Sequence, residues 1–290
     1  MSFSQDTKQE LSKINNLAKK DQVKQELLGY LISCNTTITE KNTIRYATEN
    51  EYNINRFSKL LNNVNIDYSI EMEGKTFVIK FKTKDNSLIE IREQQIHINY
   101  KEFTNEDSIK NFVRGIFLGS GSINNPENKY HLELKLSSRE KAIKVKEILN
   151  NFNINFKLLN REGKHSIYLK DGEEISNFLA LIGANNAVLK FEDIRVQREM
   201  RGKVNRLVNC ESANLTKTLN ASVEQIDAIK KLQDNNKFNK LDDNLKEIAI
   251  LRLENPDMPL SELGKLLTNP VGKSGVNYRL KKIIEIARDI

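Results

Sequence analysis

A duplicated unit constrains the fold of this chain more strongly than any other feature of its sequence. The segment LNNVNI at 61–66 recurs as LNNFNI at 149–154, with one position changed. Each copy is followed by an alternating apolar run, a Glu-Gly-Lys turn and a second alternating run. Because alternation with period two is typical of half-buried strands, each copy predicts a helix, a strand, a helix and a hairpin. We therefore expect two copies of one unit, at about 20–83 and 106–181.

A pair of small residues four apart lies inside the first helix of each copy. Gly115 and Gly119 interrupt an otherwise apolar helix, and the matching stretch of the first copy carries Gly29 and Ser33. Glycine inside a helix costs about 1 kcal/mol relative to alanine, so close packing must offset that cost. We therefore predict that the two helices pack on each other across a pseudo-twofold axis.

The segments FVRGIFLGSGSI (112–123) and LLGYLISCNTTI (27–38) resemble the central motif of the LAGLIDADG family of homing endonucleases. The resemblance implies a duplicated αββαββ domain whose two antiparallel sheets form a saddle over a DNA major groove. In that family the final Asp of each motif binds the catalytic magnesium. The matching positions here hold Ser120 and Cys34, and the earlier acidic positions hold Leu118 and Ile32.

The loss of these acids argues against catalysis. Hydrolysis of a phosphodiester by this route needs hard oxygen ligands on a divalent cation. A hydroxyl, a thiol and two aliphatic side chains supply no anionic pair, so we expect no catalytic residue, no metal, no cofactor and no enzyme activity. The alternative is an active endonuclease with displaced ligands, which would have to use Glu40, Glu71, Glu73 or Glu133.

The charge balance favours an anionic partner. The chain carries 46 Lys and Arg against 39 Asp and Glu, a formal net charge of +7, which suits nucleic acid. A basic protein with a merely solvated surface would show the same balance. Cys34 and Cys210 predict neither a disulfide framework nor a metal site. The N-terminal sequence lacks the apolar core of a signal peptide and no run of 18 apolar residues occurs, so we expect a cytoplasmic protein without membrane contact.

The polar faces of the predicted strands allow two interpretations. Lys80, Lys82, His131 and Lys135 alternate with apolar residues. In a LAGLIDADG-like saddle this face would meet DNA. A solvated face of an antiparallel sheet has the same pattern, and Glu40 and Glu133 weaken a phosphate-binding surface.

A basic connector occupies 190–221. Arg195, Arg198 and Arg201 recur every three residues, and Arg206 follows. Arginine on a helix face can bind phosphates or pair with acids of a neighbouring domain, and a solvated linker face is a third interpretation. We include these four arginines among the candidate DNA-binding residues.

The chain changes to short amphipathic segments after this connector. Ser222 and Gln225 predict a capping box at the start of the first of them. Periodic apolar residues predict four helices and one turn, at 223–233, 242–254, 259–267, 268–272 (the turn) and 274–288. This order matches a helix-turn-helix motif, whose second helix enters the major groove. The alternative is a helical module that binds protein.

The last helix carries the candidate DNA-binding side chains. Five basic residues and no acid lie between Glu262 and Glu285. Asparagine can bind adenine through two hydrogen bonds, and lysine suits phosphates. With Val276 and Leu280 facing inward, we predict contacts from the N-terminal end and the exposed face of this helix, namely from Lys273, Ser274, Asn277, Tyr278, Arg279, Lys281 and Lys282.

The order of these parts resembles the WhiA family of bacterial regulators. The similarity rests on the degenerate LAGLIDADG-like unit, the linker sequence NRLVNCESANLTK and the terminal sequence LSELGKLLTNPVGKSGVNYRLKKI. It implies a nucleoid-associated protein that binds double-stranded DNA without cutting it. It further implies roles in cell division, chromosome segregation and transcription regulation, sporulation control in filamentous bacteria, and protein partners in transcription or division.

The predicted fold class is α+β. A pseudo-twofold duplicated LAGLIDADG-like αββαββ domain with antiparallel sheets is expected at 1–189, a basic linker at 190–221, and an all-α helix-turn-helix domain at 222–290. A further alternative is a scaffold whose LAGLIDADG-like domain binds another protein. It is compatible with DNA binding by the C-terminal helices.

Overall fold

Two compact units make up the chain in a computed structural model. Unit 1 is Met1–Glu199 and unit 2 is Met200–Ile290. The structure describes residues 2–39, 42–82, 89–92, 94–103, 105–159, 163 and 165–289. Among these residues no helix has both the length and the apolar character that a membrane span requires.

The first copy of the repeat forms the first half of unit 1, preceded by helix α1 (Phe3–Ser12). The elements in chain order are α2 (Lys20–Leu31), β1 (Thr36–Thr39), β2 (Thr43–Thr48), α3 (Glu51–Asn63), β3 (Tyr68–Glu73) and β4 (Thr76–Phe81). The four strands are hydrogen-bonded in the order β1-β2-β4-β3, and every neighbouring pair is antiparallel.

The second copy repeats this arrangement. A short antiparallel hairpin, β5 (Glu90–Arg92) and β6 (Gln95–His97), precedes it. The elements of this copy are α4 (Glu106–Ser120), β7 (Gly121–Ile123), β8 (Leu132–Lys135), α5 (Arg139–Asn150), β9 (Lys157–Leu158) and β10 (Ser166–Leu169), followed by α6 (Gly172–Ile182). The second sheet has the order β7-β8-β10-β9, which is the strand order of the first sheet one copy later. The predicted duplicated αββαββ domain is therefore confirmed.

Helices α2 and α4 pack with their backbones in close contact. A Cβ atom added to Gly29 would lie 2.0 Å from the carbonyl oxygen of Phe112. A Cβ atom added to Gly115 would lie 2.0 Å from the carbonyl oxygen of Glu26. No side chain fits at either position, so the predicted close approach of the two glycine-bearing helices is confirmed.

A buried ionic cluster joins this helix pair to α3. The Glu26 side chain is fully buried, and its Oε1 atom lies 2.7 Å from Nε of Arg56. Its Oε2 atom lies 3.5 Å from Nη1 of Arg114, whose Nε donates to the carbonyl oxygen of Ile182. Buried charges of this kind need partners and hydrogen bonds on every side. The cluster therefore fixes three helices and the end of α6 in one arrangement.

Helix α7 (Asn185–Asp234) includes the whole predicted linker. The prediction of a separate helix at 223–233 is wrong, because α7 continues through these residues. Ser222 is not an N-cap: it is buried inside α7, and its hydroxyl donates to the carbonyl oxygen of Pro256. Val223, an apolar residue of this segment, is mostly exposed.

The hydrophobic core of unit 2 packs around the C-terminal part of α7. Three further helices follow, α8 (Asp243–Glu254), α9 (Leu260–Leu266) and α10 (Lys273–Arg288). Their bounds agree with the predicted helices to within a few residues. The core residues include Ile229, Leu232, Ile248, Leu263, Val276, Leu280 and Ile283.

Candidate nucleic-acid interface

The crossing of α9 and α10 depends on one glycine. A Cβ atom added to Gly264 would lie 2.1 Å from the carbonyl oxygen of Val271 and 3.0 Å from Cγ2 of Val276. The N–H of Val271 donates to the carbonyl oxygen of Gly264 at 3.1 Å. The turn between the helices therefore folds directly over α9, which gives the compact helix-turn-helix geometry predicted from the sequence.

The N-terminus of α10 is open to an anion. Its N-cap residue, Gly272, makes no side-chain capping bond, and the first turn contains no acid. The first N–H groups of a helix have no partner within the helix, and they carry a partial positive charge. Lys273 and Ser274 beside them are exposed. This helix end can bind a phosphate.

The outer face of α10 collects most of the predicted DNA-binding side chains. Ser274, Tyr278 and Lys281 are exposed on the side opposite the buried Val276 and Leu280. Tyr278 is 69% exposed, an unusual state for a large aromatic side chain. Asn277 is half-buried at the edge of this face. The structure thus brings the predicted residues of the N-terminal end together on one surface.

Two of the predicted basic residues have neighbours that limit their freedom. The Nζ atom of Lys282 lies 4.0 Å from Oδ2 of Asp242. Arg279 is half-buried, and its Nη1 atom is buried without a hydrogen-bond partner among the described residues. Lys281 belongs to no ion pair in the described part of the chain. Of the three, Lys281 is best placed to bind a phosphate.

A carboxylate holds the turn that precedes α10. Glu247 accepts hydrogen bonds from the N–H and the hydroxyl of Thr268, at 2.6 and 2.7 Å. These bonds, with a smaller contribution from the nearby Arg279, lower the pKa of Glu247. The turn is therefore fixed by α8 as well as by α9.

The linker arginines separate into two pairs. Arg195 lies 2.9 Å from Oε2 of Glu192, and Arg198 donates to the carbonyl oxygen of Pro126 at 2.5 Å. The guanidinium of Arg198 also lies 4.5 Å from the ring centroid of Tyr130. Both side chains therefore have partners in unit 1, which favours a structural role for them. Arg201 and Arg206 are exposed on α7, and their role in DNA binding stays a prediction.

The two positions that replace the motif acids lie near the ends of α2 and α4. The hydroxyl of Ser120 donates to the carbonyl oxygen of Lys135, to which the N–H of Cys34 also donates at 3.2 Å. Desolvation raises the pKa of the Cys34 thiol, so the thiol is neutral at pH 7. Burial lowers the pKa of the neighbouring Lys8 to about 8. The pair offers a neutral thiol and a hydroxyl, which are poor ligands for magnesium.

Two of the four acids named for a displaced nuclease site are engaged elsewhere, one is not described, and the fourth, Glu133, lines a cavity of unit 1. Glu71 forms an ion pair with Lys80, and Glu73 forms one with Arg45, each at 2.6 Å on the first sheet. Glu40 lies outside the described residues. Within the described part of the chain, no group of three His, Cys, Asp or Glu side chains could hold a metal ion.

The ion pairs of Glu71 and Glu73 also help to decide between the two interpretations of the polar strand faces. Lys80, a candidate for the DNA-facing side of the saddle, already has a carboxylate partner. The pairing favours the solvated sheet face for the first sheet.

Helix α7 carries a row of exposed apolar side chains. This row was not predicted from the sequence, because the prediction for the linker considered only its basic residues. The row consists of Val196, Met200, Val204, Leu207 and Leu215, each more than half exposed. Its first four residues are three to four positions apart and the fifth lies eight positions further on, a helical spacing that would have indicated it.

The chain matches two family models and many known proteins. Residues 109–201 match the model described as the WhiA LAGLIDADG-like domain, and residues 204–287 match the WhiA C-terminal HTH domain. The sequence is 36% identical over 315 residues to a protein of Clostridium tetani named "Probable cell division protein WhiA", covering 100% of this chain and 98% of that protein. A protein of Clostridium botulinum with the same name is 48% identical over 193 residues. That alignment covers 67% of this chain but only 61% of the relative's length.

Two solved structures are similar to this one. The crystal structure of full-length DUF199/WhiA from Thermotoga maritima is matched with a TM-score of 0.63 and 28% identity, covering 100% of this chain and 99% of that one. The N-terminal LAGLIDADG domain of DUF199/WhiA is matched with a TM-score of 0.54 and 25% identity, covering 63% of this chain and 93% of that one. The α+β fold class, with a LAGLIDADG-like domain and a helical C-terminal domain, is thereby confirmed.

Proposed function

The chain belongs to the WhiA family, and from that membership we propose that it binds double-stranded DNA without cutting it. In this proposal it acts in cell division and chromosome segregation and regulates transcription. One observation carries the DNA-binding part most directly. The second helix of the helix-turn-helix unit combines an uncapped, acid-free N-terminus with an exposed polar face.

In this proposal α10 enters the major groove with its N-terminal end foremost. Ser274, Asn277 and Tyr278 contact base edges, because they occupy the part of the helix that reaches deepest in such motifs. Lys273 and Lys281 bind phosphates on either side, and Lys282 and Arg279 contribute less because of their protein neighbours.

In this proposal the LAGLIDADG-like domain retains the fold of the homing endonucleases but does not cleave DNA. Cleavage would need anionic oxygen ligands at the ends of α2 and α4. Cys34 and Ser120 supply none, and Ser120 is already bonded to the backbone. A positively charged Lys8 nearby disfavours a divalent cation at the same place by like-charge repulsion.

The cellular role rests on the relatives. Proteins named "Probable cell division protein WhiA" align over the full length of this chain. The proposal places the chain in the cytoplasm on the nucleoid, in contact with proteins of transcription or division. Sporulation control is part of it where the source organism sporulates.

One experiment tests both sequence-specific DNA binding and the absence of DNA cleavage. The full-length chain is incubated with a library of random duplexes in a buffer containing Mg²⁺, and a second sample contains Mn²⁺. Bound duplexes are recovered and sequenced over successive rounds. We expect one common sequence to be enriched, and every recovered duplex to be intact at full length. Cut or nicked duplexes would support the endonuclease alternative, and recovery without enrichment would contradict sequence recognition.

One observation favours a second candidate function. The apolar row on α7 is exposed, and exposed apolar surface often marks contact with another protein. A scaffold that binds protein through unit 1 and α7 is compatible with DNA binding through α10.

A further inference from the structure

A cavity of about 510 Å³ opens in unit 1 where β1, β6, β8 and β10 meet the N-terminus of α5. This volume lies in the range of roughly 300–1,000 Å³ that is typical of small-molecule sites. Backbone hydrogen bonds fix its walls. The N–H of Leu136 donates to the carbonyl oxygen of His165 at 2.7 Å, and the N–H of Ser137 donates to that of Ile32 at 3.0 Å.

A buried ammonium group forms one end of the cavity. The Lys141 side chain belongs to a residue only 9% exposed, and its Nζ donates to the hydroxyl of Ser137 at 2.8 Å. No carboxylate of the described residues forms an ion pair with it. Burial lowers the pKa of Lys141, against a smaller opposing effect of the Glu140 carboxylate. A buried cation that has one hydroxyl partner and no ion pair among the described residues favours an anionic ligand.

Two further features of the cavity lining favour an anion. Ser166 is 1% exposed and lines the cavity, and its hydroxyl has no hydrogen-bond partner among the described atoms. Buried hydroxyls normally have partners, so an unpartnered one beside a cavity indicates a missing group. Ser138 is the N-cap of α5, and its hydroxyl already accepts from the N–H of Lys141. The first turn also carries Glu140, so this helix start adds only the partial positive charge of its remaining N–H groups. Ammonium, hydroxyl and helix start together match a phosphate.

The rest of the cavity lining combines amide groups with apolar side chains. Gln94 and Gln95 add amide groups that can donate and accept hydrogen bonds. Glu133 is the one carboxylate among the described lining residues, set against Lys135 and Lys141. The apolar part of the wall comes from Leu31, Ile38, Ile96 and Leu136. Apolar walls with adaptable amides suit a planar heterocycle attached to the phosphate.

We propose that this cavity binds a mononucleotide, with its phosphate at Lys141, Ser166 and the start of α5. The base would lie against the apolar wall, with the amides of Gln94 and Gln95 at its edge. This site is distinct from α10, so the inference does not depend on DNA binding. In this proposal the site senses a small phosphorylated molecule within a protein that also binds DNA.

Isothermal titration calorimetry on the full-length chain tests the proposal, with AMP, GMP, CMP and UMP as probes. At least one should bind saturably at one site per chain, while adenosine and inorganic phosphate bind more weakly. Lys141→Met should weaken that binding about tenfold or more, the range for loss of a charge-assisted hydrogen bond. Lys144→Met is the matched control, because Lys144 lies on the same helix but is exposed and paired with Glu147. Its affinity should equal that of the unaltered chain.

Two measurements keep the test decisive if Lys141→Met does not fold. Ser166→Ala changes only one hydroxyl, and it should weaken binding by roughly three- to tenfold. Hydrogen exchange of the unaltered chain should slow on addition of the bound nucleotide at the start of α5 and at β10. Absence of saturable binding by all four nucleotides would overturn the proposal. So would protection confined to unit 2, or equal affinities of the Lys141 and Lys144 variants.

Discussion

Replacement of Gly115 by alanine is expected to lower the free energy of unfolding of unit 1 by about 3 kcal/mol or more. The added methyl group would lie 2.0 Å from the carbonyl oxygen of Glu26 and 2.9 Å from its carbonyl carbon. Both atoms belong to the backbone of α2, so no rotamer change relieves the overlap. The two central helices must separate, which also disturbs the buried cluster of Glu26, Arg56 and Arg114.

Gly119→Ala provides a graded control for this prediction. Its added methyl group would meet Oγ and Cβ of Ser33, at 2.8 and 2.9 Å, rather than backbone. A side chain near the helix end yields more readily, so the loss should be smaller. Chemical denaturation, followed by hydrogen exchange in α2 and α4, gives both values. Equal losses for Gly115→Ala and Gly119→Ala would contradict the close backbone contact as the cause.

Gly264→Ala should have the largest effect on DNA binding of any single methyl group added to unit 2. The new methyl would lie 2.1 Å from the carbonyl oxygen of Val271, so the turn must lift away from α9. We expect the unfolding free energy of unit 2 to fall by about 2–3 kcal/mol. Affinity for duplex DNA should fall by about tenfold or more, since loss of 1.4 kcal/mol of contacts has that effect.

The control for Gly264→Ala is Gly202→Ala. Gly202 lies inside α7, and an added methyl there would approach only the mobile end of the Arg206 side chain, at 3.4 Å. Alanine is the better helix former by about 1 kcal/mol, so this variant should be as stable as the unaltered chain or more so. Fluorescence anisotropy of a labelled duplex gives the affinities. If both variants bind DNA equally well, the crossing of α9 and α10 is not needed for binding.

The features that followed from the sequence are those with a local physical cause. Two glycines inside an apolar helix have an energetic cost that only close helix contact offsets, and this predicted the packing of α2 on α4. The outer face of α10 followed from the period of Val276, Leu280 and Ile283. In both cases the spacing along one helix determines the result.

The predictions that were wrong concern sequence patterns that two different structures can produce. Ser222 and Gln225 have the spacing of a capping box, but both are buried and face the core of unit 2 from within α7. Polar residues three apart on one helix face produce the same pattern as a cap. The role of Arg198 likewise depends on partners that the sequence could not place, since Pro126 and Tyr130 lie far along the chain. The pairing of Arg195 with Glu192, three residues before it on the same helix, does follow from helical spacing.

The buried cluster and the cavity could not be predicted for a related reason. Glu26, Arg56 and Arg114 come from three helices, and each is an ordinary charged residue in its own segment. The cavity combines α5 with strands of both copies and with the hairpin between them. Such sites exist only once distant segments have packed together.

The central claim is that α10 binds the DNA backbone, and the salt dependence of duplex affinity tests it most directly. Lys281→Ala/Lys282→Ala is compared with Lys19→Ala/Lys20→Ala, which removes the same charge from exposed positions of unit 1. Each lost phosphate contact reduces the slope of log affinity against log salt by about 0.9. We expect a slope smaller by about 0.9 to 1.8 for the α10 variant and an unchanged slope for the unit 1 variant. An unchanged slope for the α10 variant, or an equal reduction in both, would contradict the claim.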